Sequence, residues 1–159
     1  MEVTFADAGV TWPLMEPIAG TGLREFIDAC FARGVGKPVD QAAQLAAWEA
    51  AHTIGAAWTG FLQEHPIVLS PVCCERPWIV GEDIDRVDEI AGAMRMVVPV
   101  NVLGLPACAV PVGSDEGLPQ GVQLIGGRFR EDRILAAAQT IEERAPVLTP
   151  ISPRVTVAA

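Results

Sequence analysis

Basic side chains are scarce in this chain. Lysine occurs once, at Lys37, and 11 basic residues stand against 20 acidic ones, giving a formal net charge of −9 over 159 residues and a pI near 4.6. That balance excludes electrostatic capture of nucleic acid or of an anionic membrane, because both need clustered positive charge. Long apolar runs are also missing, and none approaches the roughly 18 uninterrupted residues that a membrane span requires. The first twenty residues contain Glu2, Asp7, Pro13, Glu16 and Pro17, so they offer neither a charged n-region nor an apolar h-region. Cysteine is sparse: Cys30, Cys73, Cys74 and Cys108 match neither C-x-x-C spacing nor a disulfide scaffold. Together these absences predict a soluble, cytoplasmic protein with reduced thiols.

Half of the residues are hydrophobic and only 19% are charged, which rules out a disordered acidic tail. The length fits one domain. A mean hydropathy of +0.33 is high for a free-standing soluble domain.

Residues 1–20, punctuated by proline and glycine, read as an irregular or extended entry segment. Leu23, Phe26, Ile27, Cys30 and Phe31 then mark one helical face, with Thr21 as a cap and Gly34 as a stop. An alanine-rich helix is expected from Asp40 to Gln63, carrying Leu45, Trp48, Phe61 and Leu62. Ile67–Ser70 reads as a short buried strand, and Pro71–Asp83 as a loop. Ile84, Val87, Ile90, Ala91 and Met94 restore helical spacing, with Asp83 as N-cap and Pro99 as terminator. Ala107–Val110 and Gly121–Gly126 are strands joined by the turn Gly113–Gly117, which makes a hairpin the default. A last helix is expected over Glu131–Arg144, with Ile134, Leu135, Ala138 and Ile141 on one face, and residues 145–159 form an irregular tail. The class is α/β, with a few core strands of a mixed sheet flanked by helices. Three strands, apolar on both faces, need cover on both sides and neighbours on both edges. The chain supplies few such neighbours.

The residues themselves offer little catalytic chemistry. A serine triad would need Ser70, Ser114 or Ser152 with His52 or His65, and no serine lies in a G-x-S-x-G elbow. A thiol enzyme built on Cys73 would need a cation near the sulfur, for which Arg76 is the local candidate. The histidines lie thirteen positions apart with no third nitrogen ligand, so no metal site is expected. Asp83, Asp85, Asp88 and Glu89 read as helix initiation. Gly113–Gly127 contains no phosphate-binding fingerprint, and no cofactor is expected.

One stretch is far more specific. Asn101-Val102-Leu103-Gly104-Leu105-Pro106 is followed by Ala109-Val110-Pro111-Val112-Gly113 and then by Gly117-Leu118-Pro119-Gln120-Gly121-Val122-Gln123-Leu124-Ile125-Gly126. Phe129-Arg130-Glu131-Asp132 and Leu135 complete it. In order and spacing this string resembles the C-terminal region of the amidase signature family, most sharply over residues 96–144. Pro66–Val72 is similar to the family's apolar strand ending in Thr/Ser-Pro.

The resemblance implies a partial amidase-signature fold and a parent reaction in which a serine, a cis-peptide serine and a lysine hydrolyse an amide C–N bond. The Gly-Gly-Ser-Ser segment whose backbone amides would bind the oxyanion is absent, no Ser-Ser pair occurs, and Lys37 precedes a proline outside any strand pattern. The expectation is therefore the C-terminal part of an amidase domain across residues 1–159, with no catalytic residue of its own. In the complete fold the loop after Ser70-Pro71 lies toward the substrate pocket, which makes Val72 and Cys73 candidates for its wall; simple packing is the alternative. The tRNA-dependent amidotransferase branch of the family tends to hold an acidic residue just before the Pro-Val-Asn entry, a neighbourhood that Met94 occupies here, so the resemblance implies a general amidase with a less polar amide substrate. A second possibility is a non-catalytic interaction module that pairs with a separate N-terminal half or with itself.

Overall fold

The computed structural model describes residues 8–33 and 40–145, with side chains from Trp12 onward. Gly34, Lys37, Ser152 and the tail from residue 146 lie outside the described residues. The element order is α1 (Ala8–Met15), a 3-10 turn (Glu16–Ile18), α2 (Thr21–Ala32), α3 (Gln41–Glu64) and β1 (Ile67–Pro71). Then come α4 (Glu82–Asp85), α5 (Val87–Ala93), α6 (Val98–Leu103), β2 (Ala107–Asp115), β3 (Leu118–Gly126) and α7 (Glu131–Glu142). The α/β class and the few strands among helices are as expected.

The sheet has three strands in the order β1-β3-β2, paired antiparallel throughout. β3 is central because it alone has a neighbour on each side. Its alternation sorts the two faces. Val122 and Leu124, with Val110 and Cys108 across from them, join Ile134, Ala138 and Ile141 of α7 in one apolar cluster. The other face carries Ile125, fully buried, and Gln123, 3% exposed. α7 lies so close that a Cβ on Gly126 would come within 2.8 Å of Ile134 Cδ1 and Cγ1. The expected hairpin forms at Glu116-Gly117, both at positive φ, the geometry of a two-residue turn that matches strand twist.

Several expectations are corrected. The entry segment is helical over residues 8–18, and Pro17 sits early in the 3-10 turn, where its missing N–H is not needed. Thr21 does not cap α2: Gly20 holds the N-cap position and Thr21 is the first helical residue. Asp83 does not cap the acidic helix either. Gly81 at φ 98° starts it, and the Glu82 carboxylate accepts the Ile79 N–H at 2.9 Å. That helix is two short ones, broken at Arg86, which pairs with Glu89, Glu82 and Glu75 at 2.6, 3.7 and 3.5 Å. Pro99 opens α6 rather than ending its predecessor, since a proline fits the first turn of a helix. α6 closes at Gly104 with φ 61°, so the Asn-x-x-Gly segment is a helix end and the strand begins after Pro106. β2 runs past Pro111 to Asp115 by a register shift between Pro111 and Gly113, which absorbs a residue that cannot donate to the ladder.

Two apolar faces differ from the expected packing. β1 is an edge strand rather than a buried one, with Leu69 58% exposed. Leu135 faces outward on α7, one position ahead of the spacing that aims Ile134, Ala138 and Ile141 at the sheet. In α3, anchored at its N-cap by Asp40 accepting from Ala43 N–H at 2.8 Å, the half-buried or buried positions are Gln44, Ala47, Ala51, Gly55, Trp58 and Leu62. Their spacing of three and four defines the inward stripe. Leu45, Trp48, Ile54 and Phe61 point to solvent instead. No described helix is long and apolar enough to cross a membrane.

Candidate functional site

The start of the loop that leaves β1 is held by a backbone hydrogen bond and one buried amide. Cys74 N–H donates to Ala93 O at 2.9 Å, which lays the loop beside the end of α5. Gln123 Nε2, projecting from β3, donates to Pro71 O at 3.1 Å and to Met96 O at 3.2 Å. A single side chain thus fastens the end of β1 to the chain segment entering α6. Such a donor, 3% exposed, fixes geometry because leaving it unmatched is costly. The sequence contains Gln123 inside the Gly-x-Pro-x-Gly-x-Gln string, yet nothing in a sequence alone shows which carbonyls its amide reaches.

Val72 and Cys73 follow this anchor, and both are half-buried. Cys73 borders an open cavity of about 370 Å³ together with Pro71, Cys74, Arg76, Arg95 and Gln120; Val72 is not among the residues bordering it. Arg76 spans to the hairpin turn, donating to Asp115 at 3.2 Å and also to Glu116. These pairs are more than half exposed and contribute about 0–1 kcal/mol each. Their effect is positional: they tie the β1 loop to the β2–β3 turn. They also occupy the guanidinium that a Cys73 thiolate would need.

Ser70 is buried, and its hydroxyl donates to Pro71 O at 3.3 Å. His65 closes α3 and packs on the Phe61 ring with centroids 4.6 Å apart. Among the described residues no hydrogen bond joins a serine to a histidine, and no group of three or more His, Cys, Asp or Glu side chains is placed to hold a metal. The acidic residues of α5 do structural work: Asp88 accepts from Arg33 Nε at 3.0 Å and so links α5 to α2. A second cavity, of about 440 Å³ and mostly apolar, lies between α2 and α5 and includes Cys30 and Met94. Burial pushes the Cys30 thiol up from its ordinary value of 9.0, against a smaller opposing pull from Arg33. It remains a neutral thiol near neutral pH.

Comparison with known proteins points the same way. Residues 11–135 match the family model described as Amidase. An indoleacetamide hydrolase from Bradyrhizobium japonicum is 48% identical over 96 residues, covering 58% of this chain and 21% of that protein. A glutamyl-tRNA(Gln) amidotransferase subunit from Syntrophomonas wolfei is 32% identical over 109 residues, 67% of this chain and 22% of that protein. The chain spans about a fifth of the length of the curated relatives it matches. The crystal structure of the corresponding amidotransferase subunit from Thermotoga maritima superposes with a TM-score of 0.58 at 23% identity, over 91% of this chain and 32% of that one. At that identity the likeness speaks for the fold.

Proposed function

The chain belongs to the amidase family, and from that premise we propose that its 159 residues are the C-terminal part of an amide-hydrolysing domain that does not itself carry the hydrolytic residues. The carrying observation is a combination. The motif string from Asn101 to Leu135 is dense, while no Gly-Gly-Ser-Ser segment or Ser-Ser pair occurs anywhere. The match to about a fifth of each relative supports the same reading. Residues 96–144 are the most motif-rich part and 145–159 a tail.

In the complete enzyme the acyl group would pass from the amide nitrogen to a serine supplied by the other portion, with ammonia or an amine leaving. This chain contributes the β2–β3 hairpin, the α7 support and one wall of the substrate pocket, for which Cys73, bordering the open cavity, is the candidate. Met94, in place of an acidic residue, and the likeness to an indoleacetamide hydrolase both favour a neutral, weakly polar amide. Four free thiols suit a reducing compartment, the cytoplasm.

A turnover assay tests this reading. The purified chain, offered acetamide and 2-phenylacetamide, is expected to release no ammonia, and mixing with a separately produced N-terminal portion of an amidase is expected to restore release. Turnover by the chain alone that disappears in Ser70→Ala would overturn the assignment. The exposed Leu45, Trp48, Ile54 and Phe61 of α3 favour a second reading, in which the chain acts purely as a complementing partner. Co-purification with an N-terminal portion but no restored hydrolysis would select it.

A further inference from the structure

Cys73 and Cys74 are adjacent in sequence, and both border the open cavity of about 370 Å³ beside the β1 loop. In an extended strand neighbouring side chains point to opposite faces. Here β1 ends at Pro71 and the chain bends through residues 72–75, so both residues reach one space. Both are half-buried free thiols. Two hydrogen bonds hold the bend: Gln123 Nε2 donates to Pro71 O at 3.1 Å, and Cys74 N–H donates to Ala93 O at 2.9 Å. The carboxylates beside the pair are engaged elsewhere, Glu75 with Arg86 at 3.5 Å and Asp115 with Arg76 at 3.2 Å. Among the described residues no third His, Cys, Asp or Glu is placed to complete a metal site with the two thiols. Cys30 lies in the wall of the α2–α5 cavity and Cys108 on β2, and neither borders this space. The site therefore offers two soft sulfur donors and no more.

Two thiols without a third donor do not suit zinc, which takes four ligands. They suit an atom that needs two sulfurs and brings its own third ligand. A direct disulfide is disfavoured, because adjacent Cα atoms lie about 3.8 Å apart across a trans peptide, below the roughly 4.4–6.8 Å that disulfides span. One bridging atom lengthens the link and relieves that constraint. We propose that Cys73 and Cys74 form a dithiol site for a trivalent arsenical, an arsenic(III) centre with one organic group and exchangeable oxygen. With an arsine oxide, both thiols give their protons to the arsenic-bound oxygen. Two As–S bonds form as the As–O bonds break, and one water leaves. Arsenic stays trivalent and no electron is transferred. Once the first sulfur is bound the second attack is intramolecular, so ring closure supplies the affinity. Thiolate activation is not required, and the pairing of Arg76 with Asp115 and Glu116 is no obstacle. The open cavity leaves room for the organic group. The inference is independent of the amidase reading, since it needs only the loop.

The experiment uses the intact, reduced chain and phenylarsine oxide, and needs no turnover. Mass spectrometry is expected to show one phenylarsenic per chain, and titration of the remaining thiols to show two of the four lost. Peptide mapping should place the adduct on the segment that carries Cys73 and Cys74, a readout that requires no variant. Ethane-1,2-dithiol should strip the adduct, whereas 2-mercaptoethanol should need at least about a hundredfold higher concentration. Cys73→Ser and Cys74→Ser should each abolish that resistance and release phenylarsenic to the monothiol. In concentrated urea the dithiol concentration that strips the adduct should fall about tenfold, because the held bend no longer aligns the sulfurs. An adduct mapped to Cys30 or Cys108, ready stripping by the monothiol, resistance that survives either single substitution, or equal retention by folded and unfolded chain would each overturn the proposal. The complementation assay above judges the amidase reading separately.

Discussion

Gln123 shows how much one side chain can fix. Its Nε2 donates to the carbonyls of Pro71 and Met96 from a position 3% exposed, so the β1 loop and the entry to α6 share a donor. Replacing it by leucine keeps most of the volume and removes both hydrogen bonds. Met96 O, on a half-buried residue, then loses this partner while Pro71 O keeps the Ser70 hydroxyl, and about 1 kcal/mol is expected. Gln123→Leu should therefore lower the urea midpoint with an unchanged m-value. The Cys73 and Cys74 thiols should also react faster with a maleimide, because the loop that holds them is released. An unaltered midpoint and unaltered thiol rates would mean that the amide only fills space. Gly126 acts at the same scale by absence: any side chain there meets Ile134, itself 2% exposed.

At the scale of elements, α7 is the clearest case of electrostatics built into a helix start. Glu131 and Asp132 occupy its first turn, where the aligned backbone N–H groups favour negative charge. Arg130 donates to both carboxylate oxygens of Asp132, at 3.0 and 2.9 Å. This hydrogen-bonded guanidinium, helped by the Arg133 backbone N–H, outweighs partial desolvation and holds the Asp132 carboxyl at about 2 instead of 3.8. A carboxyl depressed in the folded state stabilises it above the unfolded value and stops doing so as pH falls through the folded one. The contribution from Asp132 is therefore present above about pH 4 and disappears between about pH 4 and about pH 2. Carboxyl-carbon NMR should place its midpoint at about 2, and Arg130→Gln should raise it toward 3.8. A midpoint indifferent to Arg130→Gln would show that the helix terminus, not the guanidinium, sets it.

Elements also mark where the sequence is readable. α2, α3, the β2–β3 hairpin and α7 announce themselves through periodicity, alanine-rich composition and the turn glycine, since those signals are local. The break at Arg86, whose backbone leaves the helical region at φ −113° and ψ 31°, carries no such signal, since pairs with Glu82 and Glu89 at i−4 and i+3 fit an unbroken helix equally well. Pro99 misleads for a related reason. A proline reads equally as the end of one helix or the first turn of the next, and only the placement of α6 against Gly55, whose Cβ would lie 3.7 Å from Leu103 Cδ2, decides between them. The cavity below α2 is invisible in sequence because Phe26, Trp78, Met94 and Val98 converge only after α2 docks on α5. Cys73 borders an open cavity, while Val72 stands beside it but off the cavity lining.

For the molecule as a whole, the bulky apolar residues that the sequence offers for a core are divided. Ile125, Leu124, Ile134 and Val110 are buried around the sheet, whereas Leu45, Trp48, Ile54 and Phe61 on α3 and Leu69 on the β1 edge are exposed. A stripe of this kind on one helix, together with an exposed edge strand, is the type of surface that another chain covers. The inward stripe of α3 is built largely from small residues, Ala47, Ala51 and Gly55, so turning the helix over would exchange large exposed groups for small ones without a comparable partner surface. The arrangement favours association. Size-exclusion chromatography at increasing concentration is expected to show the chain moving from monomer to larger species, with strong binding of a hydrophobic dye. Trp48→Glu combined with Ile54→Lys, both on the exposed side and remote from the sheet core, should suppress both effects without lowering stability in urea by more than about 0.5 kcal/mol per substitution. The same double substitution should block complementation by an N-terminal amidase portion if that portion covers α3. A compact, dye-negative monomer at every concentration would show instead that the α3 stripe needs no cover.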